Sequence, residues 1–176
     1  MCGTQVHGGF FSTWARLYPQ ALSHVRSALK KYEVTNLIST GHSLGAAVAT
    51  LDAVALTSDL NGSIPIEHIG FGSPRVFNPI GAGLVDEVVN NPNAQLTYHH
   101  VHHDKDPVPH LGPLILGFQH SFHEVFLPND NGTAVNCPGR ENLNCSLGRK
   151  QLDFDDHKGP YCELFDDKRV ENGGDY

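Results

Sequence analysis

Residues 37–50, "LISTGHSLGAAVAT", constrain the fold more tightly than any other stretch of the 176-residue chain. Apolar and β-branched residues suited to a strand lead into Ser43, which has a glycine two positions away on either side and a run of small helix formers after it. A strand that turns directly into a helix holds the apex residue in a strained backbone. The residues two places away must then be small, so that strand and helix can approach. Gly41 and Gly45 meet that need, and Ala46, Ala47 and Ala49 allow the helix to lie close to a sheet. An ordinary serine cap would need neither the second glycine nor a distant histidine. The reading predicts a buried strand over 34–40 and a long helix over 43–60.

The flanking sequence repeats this alternation. Leu22, Val25, Ala28 and Leu29 recur at helical spacing and predict an amphipathic helix over 20–32, with Pro19 at its first position. "IPIEHIGFG" reads as a second strand, "NPIGAGLVDEVVNN" as a helix capped near Asn78, and "AQLTYHHVHH" as a third strand. Strands alternating with helices of about a dozen residues imply crossover units and a mostly parallel sheet. After Pro107 the pattern breaks into Pro, Gly and Asn punctuation with short extended pieces such as "HEVFL". No repeat or linker divides the chain, and 39% hydrophobic content can bury one sizeable core, so a single α/β domain over 1–176 is expected.

A net charge of −7 argues against a nucleic-acid surface. The apolar run "LGPLILGF" is far shorter than the roughly 18 residues that span a bilayer. Of the four cysteines, Cys137 and Cys145 would close a short loop, whereas Cys2 with Cys162 needs the two ends to meet. Three glycosylation acceptors, Asn61, Asn131 and Asn144, add to a secretory signature. The opening "MCGTQVHGGF" has no apolar core of a signal peptide.

At the apex of such a turn a serine becomes exposed at the amino end of a helix, where the Leu44 N–H and the helix dipole favour an oxyanion. A serine hydroxyl is a weak nucleophile without a base, and the base needs an orienting group. On a sheet of this topology the acid and then the histidine follow downstream. Asp106, in "HHDKDPVPH" after the third strand, is the preferred acid, with Asp104 as the alternative. Among His110, His120, His123 and His157, the preferred base is His157, in the polar loop "DFDDHKGPYC"; the apolar neighbours of His120 and His123 suggest packing instead. His99, His100, His102 and His103 lie within five positions. Strand alternation puts His100 and His102 on one face without the spacing of a compact zinc site, so a solvated or hydrogen-bonded strand end is expected and no metal or other cofactor is assigned.

"VHGGF" at 6–10, "TGHSLGAA" around Ser43, "GFGSPRVFN" at 70–78, "DPVPH" at 106–110, "GFQH" at 117–120 and "DDHKGPY" at 155–161 follow one another in an order that resembles the fungal class 3 lipases. These are α/β-hydrolases, and feruloyl esterases belong among them. The resemblance implies Ser43 as nucleophile, His157 as general base and acid, Asp106 as the residue holding the imidazole, and the Leu44 N–H as an oxyanion donor. It also implies a secreted parent and a lipid or ester substrate, most of all triacylglycerol, met at a lipid–water interface. Feruloyl or other small esters, or an inert hydrolase-like chain, are the alternatives. Phe77 stands where the family commonly has glycine. The segment that in the family precedes VHxGF carries early strands, a lid and a Ser or Thr oxyanion donor, so an N-terminally truncated hydrolase frame is expected, with an apolar strand edge left open and folding and activity weakened. Substrate chain length and oligomeric state are not fixed by these motifs.

Overall fold

A computed structural model describes residues 3–129, 133–158 and 161. Cys2, Cys162 and the acceptor Asn131 lie outside the described residues.

The chain enters a 24-residue helix, α1 (Gly8–Lys31). The expected helix over 20–32 is therefore its second half, and Pro19 lies inside it, not at its start. The reason is an apolar stripe that begins earlier: Phe10, Trp14, Leu22 and Val25 pack against the core and Tyr18 is buried in it. A fully buried apolar side chain is worth roughly 1.5–3 kcal/mol, so several partly buried ones outweigh the roughly 3 kcal/mol cost of an interior proline.

Next come β1 (Leu37–His42), α2 (Leu44–Asp59), β2 (Ile66–Phe71), α3 (Pro79–Asn90) and β3 (Leu96–His103). Asn78 caps α3 as expected, its side-chain oxygen accepting from the Gly81 N–H. Two short strands follow, β4 (Glu124–Leu127) and β5 (Val135–Cys137). The sheet order is β1-β2-β3-β4-β5; the first four strands are parallel and β5 is antiparallel to β4. The expected mostly parallel sheet with flanking helices is thus what forms, because parallel neighbours need crossover connections and α2 and α3 supply them. α1 packs against α2, which in turn packs against β1 and β2.

β1 differs from expectation in burial. It is the edge of the sheet among the described residues and is only half covered, with Ile38 64% exposed. β3, at the sheet's centre, is buried along its carboxyl half: His100, His102 and His103 are all inside. These three are hydrogen-bonded, as one of the two expectations had it, and are not solvated, whereas His99 is only partly buried. Cys137 and Cys145 form the local disulfide, and the acceptors Asn61 and Asn144 are exposed. Phe77 is buried in the main core and bridges Val6 on one side and Gln119 on the other.

Candidate active site

In a parallel sheet the loops at the carboxyl ends of the strands share one rim. Ser43 follows β1, Gly72 follows β2 and Asp106 follows β3, so residues far apart in the chain meet there. Ser43 is the residue between β1 and α2, with φ 58° and ψ −128°, a conformation that costs a non-glycine residue about 1–3 kcal/mol and persists only when its surroundings enforce it. They do so through the backbone: the Ser43 N–H donates to Phe71 O at 2.9 Å, and the Ser43 carbonyl accepts from the Ala46 and Ala47 N–H groups at 3.0 and 3.3 Å.

Of the two glycines, Gly41 is the one the turn requires. A Cβ there would lie 2.5 Å from the backbone carbonyl of Gly45. A Cβ at Gly45 would meet nothing within 4 Å, so the expectation that both are needed for close approach holds for Gly41 alone. The small residues after them behave as expected, with Ala46 and Ala47 fully buried.

Ser43 Oγ lies 2.8 Å from His157 Nε2, and His157 Nδ1 lies 2.9 Å from Asp106 Oδ2. With the Nδ1–H donating to the carboxylate, Nε2 is left to accept from the serine hydroxyl. His157 sits on the short helix α4 (Asp155–Lys158) and is braced by His42, whose Nε2–H donates to the His157 carbonyl at 2.9 Å while the two rings stack 4.5 Å apart. Asp106 is buried, and three donors share its carboxylate. Beyond His157, the Tyr161 hydroxyl reaches Oδ2 at 2.8 Å and the Val108 N–H reaches Oδ1 at 2.8 Å. Neither of these last two was read from the sequence. Tyr161 stands in the quoted "DDHKGPY" motif, four residues past His157, while a backbone donor such as Val108 leaves no mark in the side-chain pattern.

The alternatives lie elsewhere. Asp104 faces Lys105 and Arg149. His120 donates from Nε2 to Pro109 O at 2.9 Å, and burial above all pushes its pKa down to about 3, which would make it a poor base near neutrality. Burial also lowers His110, and His123 stands edge-on to His99.

Beside Ser43 a cavity of about 260 Å³ is lined by His7, Phe10, Leu44, Pro74, Arg75, Val108, Leu111 and Gly112. Leu44, whose N–H opens α2, is 54% exposed on its rim. Arg75 fixes the floor. Its guanidinium forms a bidentate pair with Glu141 at 2.8 and 2.7 Å and donates to the carbonyls of His110 and Gly112, while its own N–H donates to Leu111 O. Glu141 in turn accepts from the His120 N–H at 2.8 Å, so one buried ion pair ties the 110–120 segment to the disulfide loop. A larger cavity, about 500 Å³, lies between α2 and α3, but its lining includes no titratable side chain. No helix is long and apolar enough to cross a membrane among the described residues.

Comparison with known proteins gives a consistent set of relatives. The model of the class 3 lipase family matches residues 1–115. A secreted mono- and diacylglycerol lipase of Malassezia globosa is 32% identical over 161 residues, covering 90% of this chain and 51% of the relative. A Rhizomucor miehei lipase, solved as a complex with its propeptide, superimposes with a TM-score of 0.77 at 29% identity, covering 89% of this chain and 50% of the other. A triacylglycerol lipase described as having a serine protease triad at its catalytic centre gives a TM-score of 0.79 at 28% identity, covering 89% and 59%. The chain spans about half the length of the curated relatives it matches. The solved neighbours give the fold its name, the α/β-hydrolase fold.

Proposed function

This chain belongs to the class 3 lipase family, and from that membership we propose that it hydrolyses the carboxylic esters of acylglycerols through an acyl-enzyme formed on Ser43. The observation that carries the proposal is the continuous hydrogen-bonded path from Ser43 Oγ through both nitrogens of His157 to a saturated Asp106 carboxylate, beside an apolar cavity.

In the proposed reaction Ser43 Oγ attacks the ester carbonyl while His157 Nε2 takes its proton. The new imidazolium is stabilised by Asp106, which also fixes the tautomer that leaves Nε2 free to accept. The oxyanion of the tetrahedral intermediate takes a hydrogen bond from the Leu44 N–H at the positive end of α2. His157 then gives its proton to the departing alcohol, leaving the acyl group on Ser43. Water attacks that ester with His157 again as base, the fatty acid departs and Ser43 regains its proton. No metal or organic cofactor enters any step.

The substrate assignment within the acylglycerols is triacylglycerol, with mono- and diacylglycerols as the competing group named for the Malassezia and Fusarium relatives. An extracellular setting is supported by those secreted relatives, by the disulfide and by the exposed acceptor asparagines. The test is a panel of mono-, di- and trioleoylglycerol emulsions and a feruloyl ester, each assayed with wild type and Ser43→Ala. Release of fatty acid that disappears in Ser43→Ala supports the proposal; turnover of the feruloyl ester alone would replace the substrate class, and equal release by both proteins would remove Ser43 from the reaction.

A further inference from the structure

The buried histidines of β3 are not used by the chemistry at Ser43, and their hydrogen bonds leave an unresolved imbalance. His100 donates its Nε2–H to Ser121 O at 3.2 Å. His102 has its Nδ1 3.2 Å from a Glu124 carboxylate oxygen, which commits that nitrogen's proton, and the Ser146 hydroxyl lies 3.1 Å away. His120 donates its Nε2–H to Pro109 O at 2.9 Å. A neutral imidazole has one donor and one acceptor nitrogen. Each ring has therefore spent its donor, and the nitrogens left over are lone pairs: His100 Nδ1, His102 Nε2 and His120 Nδ1.

Two of those lone pairs, His100 Nδ1 and His102 Nε2, face each other at only 3.2 Å in a buried place. Nitrogens of all three residues lie within 4.8 Å of one another. Lone pairs so close repel unless something positive lies between them. The arrangement around them matches what surrounds a metal-binding histidine, where the second ring N–H is held by a backbone carbonyl or a carboxylate. All three rings satisfy that condition. We propose that His100, His102 and His120 form a binding site for a divalent transition-metal ion of the zinc class, with Glu124 orienting His102.

Three imidazoles suit zinc, copper or nickel better than calcium or magnesium, which prefer oxygen ligands. Zn–N bonds of about 2.0–2.1 Å place tetrahedral nitrogens roughly 3.3 Å apart, close to the separation already present between His100 and His102, and nitrogens of all three residues lie within 4.8 Å of one another. Cys137 and Cys145 are consumed by their disulfide and are not ligands. The ion would tie β3 to the 117–121 segment, and so to the loops that Arg75 and Glu141 hold beside Ser43. The spacing along β3 concealed this site because the third histidine arrives from a distant loop, eighteen residues beyond His102.

The full chain, stripped with a chelator and dialysed, is titrated with Zn²⁺ against a chromophoric competitor, with elemental analysis for stoichiometry and Co²⁺ as a spectroscopic substitute. Wild type is expected to take one zinc tightly and to give the visible absorption of low-coordinate Co²⁺ with nitrogen ligands. His102→Val and His120→Ala should each weaken zinc by at least about 100-fold and Glu124→Gln by about 10–100-fold, the range typical of an orienting partner. His24→Ala, on the exposed side of α1, should change nothing. Circular dichroism establishes that each variant is folded, and the Co²⁺ spectrum of wild type needs no variant. Folded wild type that binds no zinc, or zinc binding unchanged in His102→Val and His120→Ala, would overturn the proposal and leave a shared proton as the group between the rings.

Discussion

The Tyr161 hydroxyl stands 2.8 Å from Asp106 Oδ2 and at the same time accepts the His103 N–H at 2.7 Å, which ties Asp106 to the end of β3. Asp106 is thereby held by three donors with His157 as only one of them, so its carboxylate keeps its orientation whether or not the imidazole is charged.

Replacing Asp106 by Asn keeps the shape but reverses the polarity toward His157 Nδ1 and favours the wrong tautomer. The expected loss in kcat is about 10³–10⁴-fold with little change in KM. Tyr161→Phe removes one donor of three, and a net hydrogen-bond contribution of about 1 kcal/mol predicts a loss of roughly fivefold. Steady-state kinetics on a soluble ester separates the two; equal losses would mean that Tyr161 does more than position the carboxylate.

The glycines flanking Ser43 should respond unequally. Gly41→Ala drives a Cβ to 2.5 Å from backbone that cannot retreat, and overpacking of this kind costs about 1–3 kcal/mol or more. Gly45→Ala enters open space within α2 and should be neutral or stabilising by up to about 1 kcal/mol. Urea midpoints measure both.

Arg75 and Glu141 form a buried pair that also carries the backbone of two loops. Removing the cation with Arg75→Met leaves a mostly buried carboxylate without its partner, for which the expected destabilisation is about 3–5 kcal/mol. Chemical denaturation checks the figure; Arg75→Met combined with Glu141→Leu should recover part of the loss, because no unpaired charge then remains.

His68 is fully buried, between Thr50 and Ser39 and stacked on Tyr98, and burial pushes its pKa down to about 4. The folded protein keeps this ring neutral while an unfolded chain would protonate it near pH 6.5. The unfolded state therefore binds the extra proton as pH falls, and stability is lost between about pH 6.5 and 4, by roughly 3 kcal/mol for this one group, with no further loss below. His68→Gln should flatten the dependence of unfolding free energy on pH by about one proton across that window. An unchanged slope would place the acid sensitivity elsewhere.

The parts of this molecule that the sequence made legible are those carried by local pattern. Period-two and period-3.6 alternation located β2, α3 and β3 nearly to the residue, and Asn78 marked its own cap. Ser43, Asp106 and His157 could be chosen because a strand-turn-helix fixes the order in which partners must follow. Where tertiary packing overrides a local rule, local pattern misleads. Pro19 suggested a start, although the stripe from Phe10 to Val25 carries the helix through it. β1 looked buried from its own residues, yet its burial depends on what lies beside it. Tyr161, the Val108 N–H, the His42 stack and the company of His120 with His100 and His102 are all long-range relationships, and no spacing along the chain announces them.

Activation of Ser43 by His157 can be read by covalent labelling. The full chain is treated with a fluorophosphonate, which phosphonylates an activated serine, and followed by intact mass and peptide mapping. One adduct is expected, on Ser43, absent in Ser43→Ala and slowed by at least about 10³-fold in His157→Ala. A folded wild-type protein that takes up no label, or takes it up equally well without His157, would contradict it.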